Sequence, residues 1–130
     1  VSLREEMEFA SAYIFLLKMR FENNLQFDIQ IAKSFEDYRL PPMAVQVLIE
    51  NAVKHNEISD RKPLTIHIVT NNEGYLSVSN DIQPKRTAAS GTGIGLVNLA
   101  KRYRLLFKQD IQITEDKEFS VCIPLIDEVQ

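Results

Sequence analysis

Leu64-Thr65-Ile66-His67-Ile68-Val69 and Tyr75-Leu76-Ser77-Val78-Ser79, joined through Asn71-Asn72-Glu73-Gly74, decide the architecture of this chain. In both runs apolar and polar residues alternate, which is the period of a strand with one buried face. The linking residues are the types that turn a chain back on itself. The stretch therefore predicts an antiparallel hairpin. A second pair of strand-like runs, Ile111 to Ile113 and Phe119 to Ile123, predicts a closing hairpin. Two hairpins leave too few crossover helices for a doubly wound parallel sheet.

Toward the N-terminus, Ser2-Leu3-Arg4-Glu5 reads as a capping box that starts a helix. Leu3, Met7, Ala10, Ile14, Leu17 and Phe21 recur at helical spacing, so they predict a packed face, with Glu5, Glu6, Glu8, Lys18 and Arg20 in water. Asn23-Asn24 ends that helix. Leu25, Phe27, Ile29 and Ile31 then alternate with polar residues as a strand. Leu40-Pro41-Pro42 sets an extended lead-in to a second helix, whose core stripe is Val45, Leu48, Ile49, Ala52 and Val53 and whose end is near Asn56. Asn80 to Ser90 has no apolar periodicity and reads as a surface loop, a candidate lid. Helical spacing returns from Gly95 to Phe107 through Leu96, Leu99, Tyr103 and Leu106. The expected fold is a single α+β domain over residues 1–130: a two-layer sandwich with helices on one face of a mixed, mainly antiparallel five-stranded sheet.

At 130 residues the chain can bury a substantial core without metal or disulfide. A net charge of −3 offers no general basic field, so nucleic acid is not an expected partner. The single cysteine, Cys122, sits in a strand-like run and is expected to be a buried structural thiol in a reducing, cytoplasmic setting. No apolar stretch approaches the roughly 20 residues that span a bilayer. No direct membrane contact is expected, and any membrane link must lie elsewhere in the parent protein.

Two segments carry chemistry. Glu50-Asn51-Ala52-Val53-Lys54-His55 places an amide, an ammonium and an imidazole at i, i+3 and i+4, on one helix face. Gly91-Thr92-Gly93-Ile94-Gly95-Leu96 brings backbone N–H groups close to a ligand ahead of a helix N-terminus. A magnesium–triphosphate needs a neutral oxygen ligand, a cation and dense N–H donors, which Asn51, Lys54 and the glycine turn supply in that order. Taken alone, the first segment also fits the solvated side of an amphipathic helix and the second a plain turn into a helix. The glycine spacing matches neither the dinucleotide fingerprint nor the Walker loop.

Leu48-Ile49-Glu50-Asn51-Ala52-Val53-Lys54-His55, a lid, and Gly91-Thr92-Gly93-Ile94-Gly95-Leu96 together resemble the N box and G2 box of the ATPase superfamily shared by gyrase, heat-shock chaperones, sensor histidine kinases and mismatch-repair proteins. Within it the chain is most similar to LytS-type sensor histidine kinases, also through Val1 to Phe9, Lys18 to Phe21, Leu40-Pro41-Pro42, Asn98 with Arg102, and Val121 to Pro124. The resemblance implies a Bergerat-type ATP-binding domain. It implies that Asn51 coordinates Mg2+, that Lys54 and His55 reach phosphate or ribose, and that Glu50 sits beside the metal-bound water network. Gly91, Gly93 and Gly95 would shape the turn over the phosphates, with Thr92 and the N–H groups of Ile94 and Leu96 donating to them. Asn98 and Arg102 would brace the lid or the adenine end, unless they are a plain exposed pair.

One box departs from the family. Many relatives carry Asp-x-Gly-x-Gly where this chain has Asn80-Asp81-Ile82-Gln83-Pro84. Asn80 can accept the adenine amino proton without the charge assistance of an aspartate. Asp81 could take over only after a one-residue shift that turns it to the opposite face. The absent glycines imply a stiffer lid root. Neither His55 nor His67 is placed as the phosphoacceptor; by resemblance that histidine lies on an upstream dimerisation domain of a homodimeric parent, which would pass phosphate to a cognate response regulator. The expected activity is ATP-dependent histidine phosphorylation; a degenerate docking module and an anti-sigma-type serine kinase are the alternatives.

Overall fold

Asn71 makes the predicted turn: its Oδ1 accepts the backbone N–H groups of Glu73 (2.9 Å) and Tyr75 (3.0 Å). Gly74 takes the left-handed conformation, φ +85°, that closes it. The computed structural model describes residues 1–84 and 94–127. Its elements run α1 (Leu3–Phe21), β1 (Leu25–Gln30), α2 (Ala44–His55), β2 (Leu64–Thr70), β3 (Tyr75–Asp81), α3 (Ile94–Phe107), β4 (Gln112–Glu115) and β5 (Glu118–Pro124). The sheet order is β1-β2-β3-β5-β4. β1 and β2 are parallel, joined through α2, and the other three pairings are antiparallel.

The core lies between the sheet and the helices. Leu64, Ile66 and Ile68 of β2, Leu76 and Val78 of β3, and Val121 and Ile123 of β5 meet Leu3, Ala10, Ile14 and Leu17 of α1, the inner face of α2, and Leu99 and Tyr103 of α3. Each fully buried Leu or Ile side chain stabilises the fold by about 1.5–3 kcal/mol relative to exposure. Tyr103 satisfies its hydroxyl by donating to the Pro124 carbonyl at 2.9 Å, and burial pushes its pKa up. Residues between the buried ones point to the open face of the sheet, where Asp28 and His67, directly opposite in the register, meet at 2.9 Å. His67 thus has a structural partner across the strands.

The capping box at the start of α1 is present in both directions, Ser2 with Glu5. Four expectations need correction. Glu6, expected in water, is 1 % exposed. Its two carboxylate oxygens accept the N–H groups of Met43 (2.9 Å) and Val45 (3.0 Å), so it caps the N-terminus of α2. Cys122, expected to be buried, is half-buried because it alternates with Val121 and Ile123 and therefore faces outward. Leu106 is 62 % exposed, and Phe107, one position on, packs against the core instead. The segment expected to be a loop from Asn80 also begins later, since β3 pairs with β5 through Asp81. The rest of the candidate lid, residues 85–90, lies outside the described residues.

Candidate functional site

Helix α2 buries Ala44, Val45, Leu48, Ile49 and Ala52, which fixes its rotation about its own axis. Asn51 and His55 are consequently half-buried on the side toward α3, and Glu50 and Lys54 are exposed. Gly95 lets the two helices approach: a Cβ there would stand 3.3 Å from Val47 Cγ1, tighter than ordinary contact.

A cavity of about 320 Å3 lies between α2 and α3. Glu50, Asn51, Lys54 and His55 line it from one side, and Ile94, Gly95 and Leu96 from the other. A second cavity, about 400 Å3, shares Asn51, His55 and Leu96 and continues past Asn56 to Ile82, Pro84 and Phe119. The two form one trough with a polar end and a more apolar end. The first described turn of α3 adds backbone N–H groups, and the positive end of the helix dipole, at the polar end. Gly91, Thr92 and Gly93 lie outside the described residues.

Another cavity, about 1120 Å3, is on the opposite side of α2, between it and α1. Glu50 and Lys54 line this one too, whereas Asn51 and His55 do not. Glu50 stands close enough to Tyr13 there to add to burial in raising the phenol pKa. Among the described residues, it is on the α3 side that the Asn51 amide, the Lys54 ammonium and the first residues of a helix line one cavity.

The residues present fit a metal carried in with phosphate oxygens. Among the described residues no group of three His, Cys, Asp or Glu side chains could hold an ion by itself. Mg2+ typically takes only one or two protein ligands when substrate phosphates supply the rest. The Asn51 amide, with Glu50 adjacent, matches that donor set.

Two residues before Ile82, Asn80 is 1 % exposed, on the helix-facing side of β3, and Asp81 is exposed on the opposite side. Asn80 Nδ2 donates to the Asp81 carbonyl at 2.7 Å. That bond fixes which amide atom is nitrogen and leaves Oδ1 as an acceptor. Of the predicted bracing pair, Arg102 donates to the Pro42 carbonyl at 3.0 Å and so braces the start of α2, while Asn98 is exposed.

Sequence reasoning took Asn56 only as a helix end and Gln83 only as part of an altered box. Asn56 Nδ2 donates to the Ala52 carbonyl (2.8 Å) and its Oδ1 accepts the Gln83 N–H (2.8 Å). Gln83 Nε2 donates to the carbonyls of Glu57 (2.9 Å) and Lys62 (3.1 Å). An asparagine just after a predicted helix, near unpaired carbonyls, was the available signal.

No protein-family model matches the chain. It is 35 % identical over 132 residues to the sensor protein LytS of Streptococcus mutans, a match covering 89 % of this chain and 22 % of that protein. It is 28 % identical over 117 residues to the sensor histidine kinase BtsS of Escherichia coli, covering 88 % of this chain and 21 % of that protein. The chain thus spans about a fifth of the length of the curated relatives it matches. In structure it is similar to the catalytic domain of the histidine kinase ThkA, with a TM-score of 0.64, 18 % identity, and 98 % of each chain covered. On sequence and fold together, the chain belongs to the LytS-type sensor histidine kinases, in the part that folds as their catalytic domain.

Proposed function

We propose that the trough between α2 and α3 binds Mg-ATP and presents its γ-phosphate for transfer to a histidine on a dimerisation domain outside this chain. The observation that carries the reading is that Asn51 and the Ile94–Leu96 end of the glycine turn line one cavity. Asn51 would hold the metal through its amide oxygen, with Glu50 beside it to hydrogen-bond the surrounding water. Lys54 neutralises phosphate charge, His55 reaches phosphate or ribose, and the N–H groups of Ile94 and Leu96 donate to phosphate oxygens, with Gly91, Thr92, Gly93 and Gly95 shaping the turn. Asn80 accepts from the adenine amino group. Bound Mg2+ supplies charge neutralisation at the transferring phosphoryl group. In the transfer, a nitrogen of the acceptor imidazole forms the new bond to phosphorus as the bond to the ADP oxygen breaks. The protein contributes position and electrostatics rather than a covalent intermediate of its own.

In this reading the parent is a homodimeric, membrane-anchored sensor that passes phosphate to a response regulator, and the domain described here lies on the cytoplasmic side. Titrating a fluorescent ATP analogue into the domain with magnesium tests the first step: saturable binding is expected, weakened at least about tenfold by Asn51→Ala, a loss of roughly 1.4 kcal/mol. No saturation at millimolar nucleotide would overturn it. In the parent protein, Asn51→Ala should abolish phosphohistidine formation. Signalling that survives that substitution would favour a docking module, the reading to which the altered Asn80–Pro84 box lends its support.

A further inference from the structure

The box that departs from the family is tied by several hydrogen bonds to its neighbours beside the trough. After Asp81, Ile82 N–H reaches the Lys117 carbonyl at 3.3 Å, and then Gln83 is fastened on both its main chain and its side chain. Its N–H donates to Asn56 Oδ1 (2.8 Å) and its carbonyl accepts the Glu57 N–H (2.6 Å). Its Nε2 donates to the carbonyls of Glu57 (2.9 Å) and Lys62 (3.1 Å). Pro84 follows in an isolated bridge opposite Asn56, with φ fixed by its ring. Ile82 and Pro84 add side chains to the wall of the 400 Å3 cavity, where glycines would add none. Four hydrogen bonds thus tie the strand exit at β3 to the segment following α2, and Asn56, which anchors one of them, is itself bonded to the last turn of α2.

We propose that Gln83, seated on Asn56, is a positioning residue that sets base selectivity: it staples the exit of β3 to the end of α2, and so holds in one arrangement the Ile82–Pro84 wall of the cavity that His55 also lines, together with Asn80 two residues before Ile82. The result is a preorganised rim, held by the main chain and the side chain of Gln83 together. Preorganisation matters because the Asn80 amide has no charge to draw the base in, so its selectivity depends on being held in register. The inference rests on the nucleotide reading above.

The test uses the 130-residue domain with ATP and ITP, which differ in the group at the 6-position of the purine, each competing against a fluorescent ATP analogue in magnesium. The wild type is expected to prefer ATP. Gln83→Ala removes both side-chain donors, and Gln83→Glu keeps the shape but turns an oxygen toward two carbonyls. Both should weaken ATP about three- to tenfold, the effect of losing about one net hydrogen bond, and lower the ATP-to-ITP ratio, with Gln83→Glu at least as severe. A purely structural staple would weaken both nucleotides equally and leave the ratio alone, which overturns the proposal. If a variant folds poorly, amide exchange of the Glu57 N–H in the ligand-free variant that does fold provides the second measurement: faster exchange is expected, and unchanged protection overturns the staple. Failure of the wild type to bind ATP at all sinks the nucleotide reading first, without any variant being needed.

Discussion

The two ends of α2 are held in opposite ways. At the N-terminus a buried carboxylate, Glu6, comes from another helix to accept two N–H groups; at the C-terminus a neutral amide, Asn56, caps its own helix and then passes a hydrogen bond to Gln83. The chemistry follows the helix: N–H donors and positive dipole at one end call for an anion, unpaired carbonyls at the other call for a donor. The consequence is a division of labour. Glu6 docks α1 onto α2 and so joins the core, whereas Asn56 ties α2 to the rim of the trough. Asn51 and His55 sit between two anchored ends, on a helix that cannot rotate.

The comparison breaks most readily at the N-terminus. Glu6→Ala should destabilise the domain by about 2–4 kcal/mol, since two N–H groups lose their acceptor at a buried cap. Urea unfolding of the two proteins measures this, and a loss below about 1 kcal/mol would show that the cap is replaceable. Asn56→Ala should cost less, about 1–2 kcal/mol, because its hydrogen bonds join neutral groups whereas those of Glu6 run to a carboxylate. Its larger signature is expected in nucleotide affinity. Equal stability losses at the two ends would remove the distinction drawn here.

Acid and base sharpen the contrast further. Burial pushes the Glu6 carboxyl above its ordinary 4.5, outweighing the hydrogen bonds from Met43 and Val45 that pull it down. Its contribution from this shift is present in full below pH 4.5 and is lost as pH rises through the raised value. Asp28 behaves oppositely. The hydrogen bond to His67, then that from Gln30, holds it below its ordinary 3.8, so its contribution is present above 3.8 and is lost as pH falls through the lowered value. Glu6→Gln should therefore flatten the decline in urea midpoint toward neutral pH, and Asp28→Asn the decline in strong acid. The Asp28 effect should be the smallest of those described, because the pair is partly exposed.

Much of this was legible in local pattern. The alternation from Leu64 to Ser79 and the turn at Asn71 gave the hairpin, and the apolar stripe of α2 put Asn51 and His55 on a shared face. Where the pattern misled, the reason was a partner far along the chain. Glu6 reads as one more solvated carboxylate in an acidic first turn, and only its N–H partners 37 and 39 residues away make it a cap. Gln83 reads as a loop residue until Asn56, 27 residues earlier, is brought beside it. Leu106 and Phe107 are both apolar near the end of α3, and periodicity could not choose between them.

The amino-acid sequence by itself determined the elements, their order, and the residue types at the trough, because helix and strand periods and turn chemistry are read over a few neighbouring positions. Only the tertiary structure decided that Asn51 and Gly95 share one cavity, that a carboxylate from α1 caps α2, and that Gln83 fastens the rim. Each of these depends on hydrogen bonds or contacts between groups distant in the chain, and such bonds acquire their direction and strength only when packing has excluded water and brought donor and acceptor together.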